Sequence, residues 1–436
     1  MIYTVSIGQD KGALMSNIKE KRKLIRPNYK NSILTIPSSI LEDFGIKSNC
    51  PKNKQLTKEF GRDYNNIVLL VLDGFGAMNI AEHLPKASIL RKKMKAKLLS
   101  TFPSTTACTV TTLHTGLSPA EHGWLGMFMY AEPLDEVINV YKNRTAYTNK
   151  PLKDDNYYRS YMPFTTIYQR IDATTHAKFK IHTVFPSYVH EISENNYFYS
   201  DCDEMYTVIA KKCRQAGHKI IVAYEDSVGA TMRKYGTLAP ETKELFLEHE
   251  RQINMLAEKC PNSLIIVTAD HGLLNNDGKV FNINDYPDLC NLMSRPPSME
   301  ARAKSFGVKQ GYEKQFKQLF NQHFGENFTL YSAKQVLSKK LFGENANPYI
   351  NLLIGDFLAI SKNEAILQYH TSTGAKMPVD KAHHSGLSKQ EMLVPLILIS
   401  TKISKKKSNK SKKSKARAKP STNNQNKSGV ANKSKG

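Results

Sequence analysis

A chain of 436 residues with 40% hydrophobic content has enough apolar surface for one large core or two smaller ones, so a globular protein is the starting expectation. No run approaches the roughly 20 apolar residues of a bilayer-spanning helix, and the opening MIYTVSIGQDKGALMSNIKEKRK lacks the pattern of an export signal, which points to the cytoplasm. The formal charge of +23 is mainly a property of the last 35 residues: residues 402–436 hold 13 of the 62 lysines and arginines and no acid, leaving 49 basic against 39 acidic residues elsewhere.

Taken in order, residues 1–60 show no clear period and are expected to wrap the core. The first buried strand is IVLLVL (67–72), a continuous aliphatic run that ends in Asp73-Gly74-Phe75-Gly76. An Asp-Gly after a strand is ordinary turn chemistry unless other polar groups join it. The stretch STFPSTTACTVTTLHTGLSPAEHGWLG (100–126) places a Pro-Ser-Thr-Thr turn before a helix over 107–115 that stops at Gly116. A hydroxyl there either caps the helix or, facing free N–H groups, serves as a nucleophile toward an anionic phosphorus centre.

An aromatic-rich segment at about 128–200 breaks the strand–helix alternation and reads as an insertion. IIVAY (220–224) is the second buried strand and runs into the polar loop EDSVGATMRKYG; a helix follows over 240–258. LIIVTA (264–269) is the third, ending in Asp270-His271-Gly272, a carboxylate and an imidazole of the kind that Zn²⁺ accepts. A second insertion is expected at about 277–345, and the loop AHHSGLS, with His383 and His384, precedes a last strand, LVPLILIS (393–400).

Runs buried on both faces imply an α/β fold with a mostly parallel central sheet and helices on both sides, in which ligands bind beyond the carboxyl ends of the strands. The main globular domain is bounded at 61–401. The tail 402–436 is a lysine-rich, apolar-poor segment of the composition of disordered chain, able to touch polyanions non-specifically or simply to stay solvated. Six scattered cysteines, with no C-x-x-C pair, indicate neither a disulfide framework nor a cysteine-bound zinc.

In the order VLDGFG, PSTTACTVTTLHTGLSPAEHG, TADHG, HHSGLSKQEMLVP, the chain resembles the nucleotide pyrophosphatase/phosphodiesterase branch of the alkaline phosphatase superfamily over roughly residues 62–400. The resemblance implies an alkaline-phosphatase-like fold with cap insertions. It also implies that Asp73, Thr106, Asp270 and His271 bind the nucleophile-activating metal, with Thr106 the nucleophile, and that His384 is the late histidine of a second metal site. Thr109 stands where phosphodiesterases of this branch often place a phosphate-binding Asn, and its hydroxyl can still donate one hydrogen bond.

The two remaining second-site ligands should lie in the loop after IIVAY. An ungapped match from Tyr224 to Gly236 puts them on Gly229 and Arg233, with Asp226 the one nearby carboxylate that a differently folded loop could bring in. The expected cofactor is therefore Zn²⁺ or Mn²⁺, as one ion if Arg233 supplies the second positive charge and as two if the loop is shifted. Two functions remain open: a hydrolase of phosphate esters or nucleotides, with Thr106 as nucleophile and Arg233 and His384 in catalytic roles, or a degraded protein of the same fold that only binds a phosphate-bearing ligand. A sulfatase-like or phosphonate-cleaving variant is a third.

Overall fold

The computed structural model describes residues 20–401 apart from 21, 155, 176–178, 188–194 and 371–378. The lysine-rich tail, and with it the polyanion expectation, lies outside the described residues.

Two seven-stranded sheets alternate along the chain, beside two short two-stranded ones. β1 (Asn66–Leu72) and β2 (Met94–Leu99) begin the central sheet, and β3 (Phe128–Ala131), β4 (Glu136–Asn139) and β5 (Arg144–Thr145) leave it for a second one. The chain returns with β6 (Phe179–Pro186), β7 (Asn196–Tyr199), β8 (His218–Glu225) and β9 (Ser263–Thr268). It departs again for β10 (Ser298–Met299), β11 (Ala303–Phe306), β12 (Phe328–Ser332) and β13 (Phe357–Ser361), and closes the central sheet with β14 (Leu393–Ser400).

The central order is β2-β14-β9-β1-β8-β6-β7, in which β14 alone runs against its neighbours. Every residue of β1 and β9 is buried, as continuous apolar strands covered on both faces require. The covering helices used below are α1 (Thr35–Asp43), α2 (Lys54–Phe60), α3 (Thr106–Thr115), α4 (Cys202–Cys213), α5 (Ser227–Tyr235) and α6 (Pro240–Lys259). The expected strands and helices are all present, within one to three residues at each end.

Two expectations need correction. Residues 128–200 are not one insertion: β6 and β7 belong to the central sheet, and only β3 to β5 leave it. Nor are the two insertions separate, because β3–β5 and β10–β13 form one seven-stranded antiparallel cap sheet, ordered β12-β13-β11-β10-β3-β4-β5 and reaching to Ser361, beyond the expected limit at 345. The amino-terminal stretch does more than wrap, since Ile36, Ile40 and Leu41 of α1 and Leu56 and Phe60 of α2 enter the main hydrophobic core.

Candidate active site

The site stands at the carboxyl edge of the central sheet, and strand register brings its parts level. Leu72 pairs with Glu225 and Val71 with Thr268, so Asp73 and the Asp270–His271 pair leave adjacent strands at the same height. The Asp73 backbone N–H donates to Glu225 O at 2.7 Å. Gly74 (φ +72°), in the left-handed region that glycine tolerates, turns its N–H onto Asp270 Oδ1 at 3.1 Å. Asp270 Oδ1 also accepts from the His271 N–H at 2.8 Å, which leaves Oδ2 for the site.

Thr106 is the first residue of α3, next to its N-cap Thr105, and is about 9% exposed at the base of the site. Its hydroxyl donates to Asp270 Oδ2 at 2.9 Å and lies 3.3 Å from His271 Nε2. With His271 Nδ1–H assigned to the Gly272 carbonyl at 3.2 Å, Nε2 carries the lone pair. That lone pair faces Asp73 Oδ1 at 3.5 Å and Asp270 Oδ2 at 3.4 Å. Asp73 Oδ1 is buried and accepts no hydrogen bond.

Acceptors converge here without a proton between them, at a point where desolvation is costly. Burial, reinforced by Asp270, pushes the Asp73 carboxyl up to about 6 against the pull of Arg233 and His271. Burial pushes Asp270 up to about 6 against the Thr106 hydrogen bond. It also pushes His271 down to about 4, so the ring is neutral at pH 7. A divalent cation would relieve all three, and one donor atom each from Asp73, Asp270 and His271 lie within 4.8 Å of one another. The residues therefore fit the first metal that the family resemblance implies.

They do not fit the second. A Cβ built on Gly229 in α5 would sit 2.3 Å from Asp73 Oδ2, so there is no room for a ligand side chain at 229 while Asp73 keeps its place. One turn later Arg233 donates from Nη2 to the same oxygen at 3.0 Å. The side chain is about 27% exposed; burial pulls its pKa down, but the Asp73 charge and hydrogen bond together with Tyr224 and Asp380 outweigh it and raise the pKa above its ordinary value. Asp226 is the N-cap residue of α5 and is not part of the Asp73–Asp270–His271 group.

His384 stacks on His271, ring centroids 3.9 Å apart and 13° from parallel, whereas His383 bonds to the Asp380 carbonyl at 3.1 Å. The His384 Nδ1–H is assigned to Ser104 O at 3.1 Å, leaving Nε2 unprotonated; burial, then His271 and Arg233, keep the ring neutral. Thr109 departs from its expected phosphate contact. It is fully buried, and its hydroxyl is shared with Thr101 at 2.7 Å and Ser100 at 3.1 Å. Ser100 in turn bonds to the Asp270 carbonyl, so Thr109 braces a ligand strand end rather than offering a donor to the site.

Three residues of the site's frame escaped the sequence reading. Glu300, in the β10–β11 turn of the cap, accepts from the Thr105 hydroxyl at 2.7 Å and from Met127 N at 2.6 Å, tying the cap to the residue beside Thr106. Glu391 and Arg302 form a buried two-pronged pair at 2.6 and 3.0 Å, and Glu391 also accepts from Gly386 N and Ser388 Oγ, which fixes the loop carrying His384. The Ser388-x-x-Glu391 spacing is a capping box visible in sequence, but nothing local announces Arg302.

A parallel-sheet core with an acid–imidazole cluster at its carboxyl edge and an antiparallel cap defines an alkaline-phosphatase-like architecture. Comparison with known proteins agrees. The family model "Type I phosphodiesterase / nucleotide pyrophosphatase" matches residues 67–386, and the chain belongs to that family. No curated protein matches it at the level of sequence. Among solved structures, murine ectonucleotide pyrophosphatase/phosphodiesterase 5 is similar at a TM-score of 0.59 and 14% identity, over 76% of this chain and 87% of that one. An inactive threonine-to-alanine form of the same protein, in complex with AMP, matches equally. Phosphonoacetate hydrolase from Sinorhizobium meliloti, in complex with phosphonoformate, follows at a TM-score of 0.56 and 16% identity, over 79% and 93%. Among the described residues, no helix is long and apolar enough to cross a membrane.

Proposed function

We propose that the protein is a metal-dependent phosphodiesterase or nucleotide pyrophosphatase-like hydrolase with one metal ion, in which Thr106 is the nucleophile. The observation that carries this reading is the convergence of Thr106 Oγ1, Asp270 Oδ2, His271 Nε2 and the unpartnered Asp73 Oδ1 on one buried point. These four residues would hold a zinc or manganese ion, whose positive charge would lower the pKa of the hydroxyl and offset charge on a phosphoryl oxygen.

The chain's own groups account for the rest. With its pKa lowered, the Thr106 hydroxyl loses its proton to solvent as the oxygen–phosphorus bond forms and the bond to the leaving oxygen breaks. The product of this step is a phosphothreonine ester. Arg233 holds a permanent charge beside Asp73 and has further N–H donors for two phosphate oxygens, a planar fork worth ~10³- to 10⁵-fold in other phosphoryl-transfer sites. Neutral His384, with Nε2 free, accepts a proton from the water that releases the ester. The AMP complex of the murine relative supports a nucleotide or related phosphodiester as substrate. Six unpaired thiols are in keeping with a reducing cytoplasm.

The test pairs turnover with metal content. An activated phosphodiester should be hydrolysed in zinc- or manganese-supplemented buffer, and Thr106→Ala should abolish that activity. Equal background rates in the two proteins would favour a phosphate-binding protein of the same fold. About one ion per chain at the active site supports the arginine-containing site, and about two there would show that α5 is shifted in the working enzyme.

A further inference from the structure

A second cluster of metal-compatible side chains lies on the far side of β8 from β9, outside the catalytic group. Cys202 begins α4, Glu225 ends β8 and His249 lies in the middle of α6. One donor atom from each falls within 4.8 Å of the others. Glu225 and His249 are buried, while Cys202 is partly exposed and leaves a path for an ion.

The imidazole is ready to ligate. Its Nδ1 lies 2.9 Å from the Tyr206 hydroxyl and 4.0 Å from Cys202 Sγ; Nε2 lies 3.1 Å from Glu225 Oε2 and 3.4 Å from Ser227 Oγ. Handing Nδ1–H to Tyr206 leaves the Nε2 lone pair toward the carboxylate, the arrangement by which metal-binding histidines are usually oriented. Despite that short approach, Glu225 Oε2 makes no hydrogen bond of acceptable geometry and is buried. With the Nδ1 proton directed to Tyr206, an acceptor oxygen faces an acceptor nitrogen.

The surrounding charge favours a cation. Burial raises the Cys202 thiol strongly, and Glu225, Asp203, Glu248 and Asp201 raise it further. A cation bound here would be neutralised by Glu225 and by a thiolate, the thiol proton leaving to solvent.

We propose that Cys202, Glu225 and His249 form a structural site for a soft or borderline divalent cation, zinc foremost, with Ser227 or a water completing a four-coordinate shell. Sulfur, imidazole and carboxylate together are the donors zinc accepts, and bond lengths of about 2.0 to 2.3 Å would draw the three side chains inward, Cys202 most, since its Sγ now lies 4.0 Å from His249 Nδ1. The site would clamp α4, β8 and α6 at the residue that leads into α5, the helix that carries Arg233. It is independent of the catalytic reading.

Cobalt substitution of the full chain tests it, because of the two metal-compatible clusters among the described residues this one alone contains a cysteine. Cobalt-loaded wild type should show a near-ultraviolet thiolate-to-cobalt charge-transfer band. The band should persist in Asp270→Asn, which disables the catalytic cluster, and vanish in Cys202→Ser, with zinc content falling by about one equivalent per chain in the latter. His249→Gln and Glu225→Gln should each weaken the band at least tenfold at limiting cobalt, which keeps the test valid if Cys202→Ser folds poorly. Absence of the band in cobalt-saturated wild type, or its survival in Cys202→Ser, overturns the proposal.

Discussion

Adding one methyl group at Gly229 should separate activity from stability. The built Cβ lies 2.3 Å from Asp73 Oδ2, 2.4 Å from Cγ and 2.5 Å from Oδ1. Non-bonded atoms settle at about 3.5 Å, so in Gly229→Ala the carboxylate must retreat by about 1 Å. It cannot do so and keep both its 3.0 Å bond to Arg233 and its place opposite His271 Nε2. A misplacement of about 1 Å in a reacting group costs roughly 10²-fold in rate, and metal affinity falls with it. Helix propensity works the other way, since Gly to Ala inside a helix gains about 1 kcal/mol, offsetting part of the weakened ion pair. Ala230→Gly, at the exposed neighbouring position of α5, should give the opposite pattern: about 1 kcal/mol less stable, with full turnover. Urea unfolding and steady-state hydrolysis of an activated phosphodiester measure the two quantities side by side. Wild-type turnover in Gly229→Ala would refute the close approach as the reason for glycine there.

Other consequences can be checked by simpler means. Burial, aided by Arg159, pushes His114 down to about 3, and burial pushes His122 down to about 3 although a backbone contact opposes it. Each stabilises the fold fully above pH 6.5 and loses that contribution as pH falls toward 3. From pH 7.5 to 5.5 the pair should cost about 3 kcal/mol, and His122→Gln should remove about half of that slope in urea titrations. Glu391→Gln leaves Arg302 charged and buried without its partner, a loss of about 3–5 kcal/mol by chemical denaturation that adding Arg302→Met should partly recover. Deleting residues 402–436 should reduce salt-sensitive adsorption to polyanions and leave turnover unchanged, as a filter-binding series in rising salt would show.

How much of this was legible in the chain depends on the range of the interactions. β1 and β9 announce themselves because they are buried on both faces and therefore apolar throughout, and the acids that follow them mark the sheet edge. Arg233 was found as a departure from a family spacing, and its contact with Asp73 links residues 160 apart. β6 was misread because FKIHTVFP alternates Lys180 and His182 with apolar residues, a pattern less continuous than its central neighbours. The cap sheet was hidden by brevity, since β10 has two residues and finds β3 through Met299 and Phe128. α1 is unpromising by propensity, with Pro37 and two serines, yet tertiary burial holds it. Glu300 meets Thr105 across 195 residues, and no periodicity encodes such a meeting.

The guanidinium beside Asp73 differs from an ion in one respect that reaches beyond geometry. It cannot be chelated, exchanged or diluted away, because it is synthesised with the chain. An enzyme that carries half of its cationic clamp in this covalent form would respond to free zinc along a simple hyperbola, where a two-ion site filled in concert would give a sigmoid.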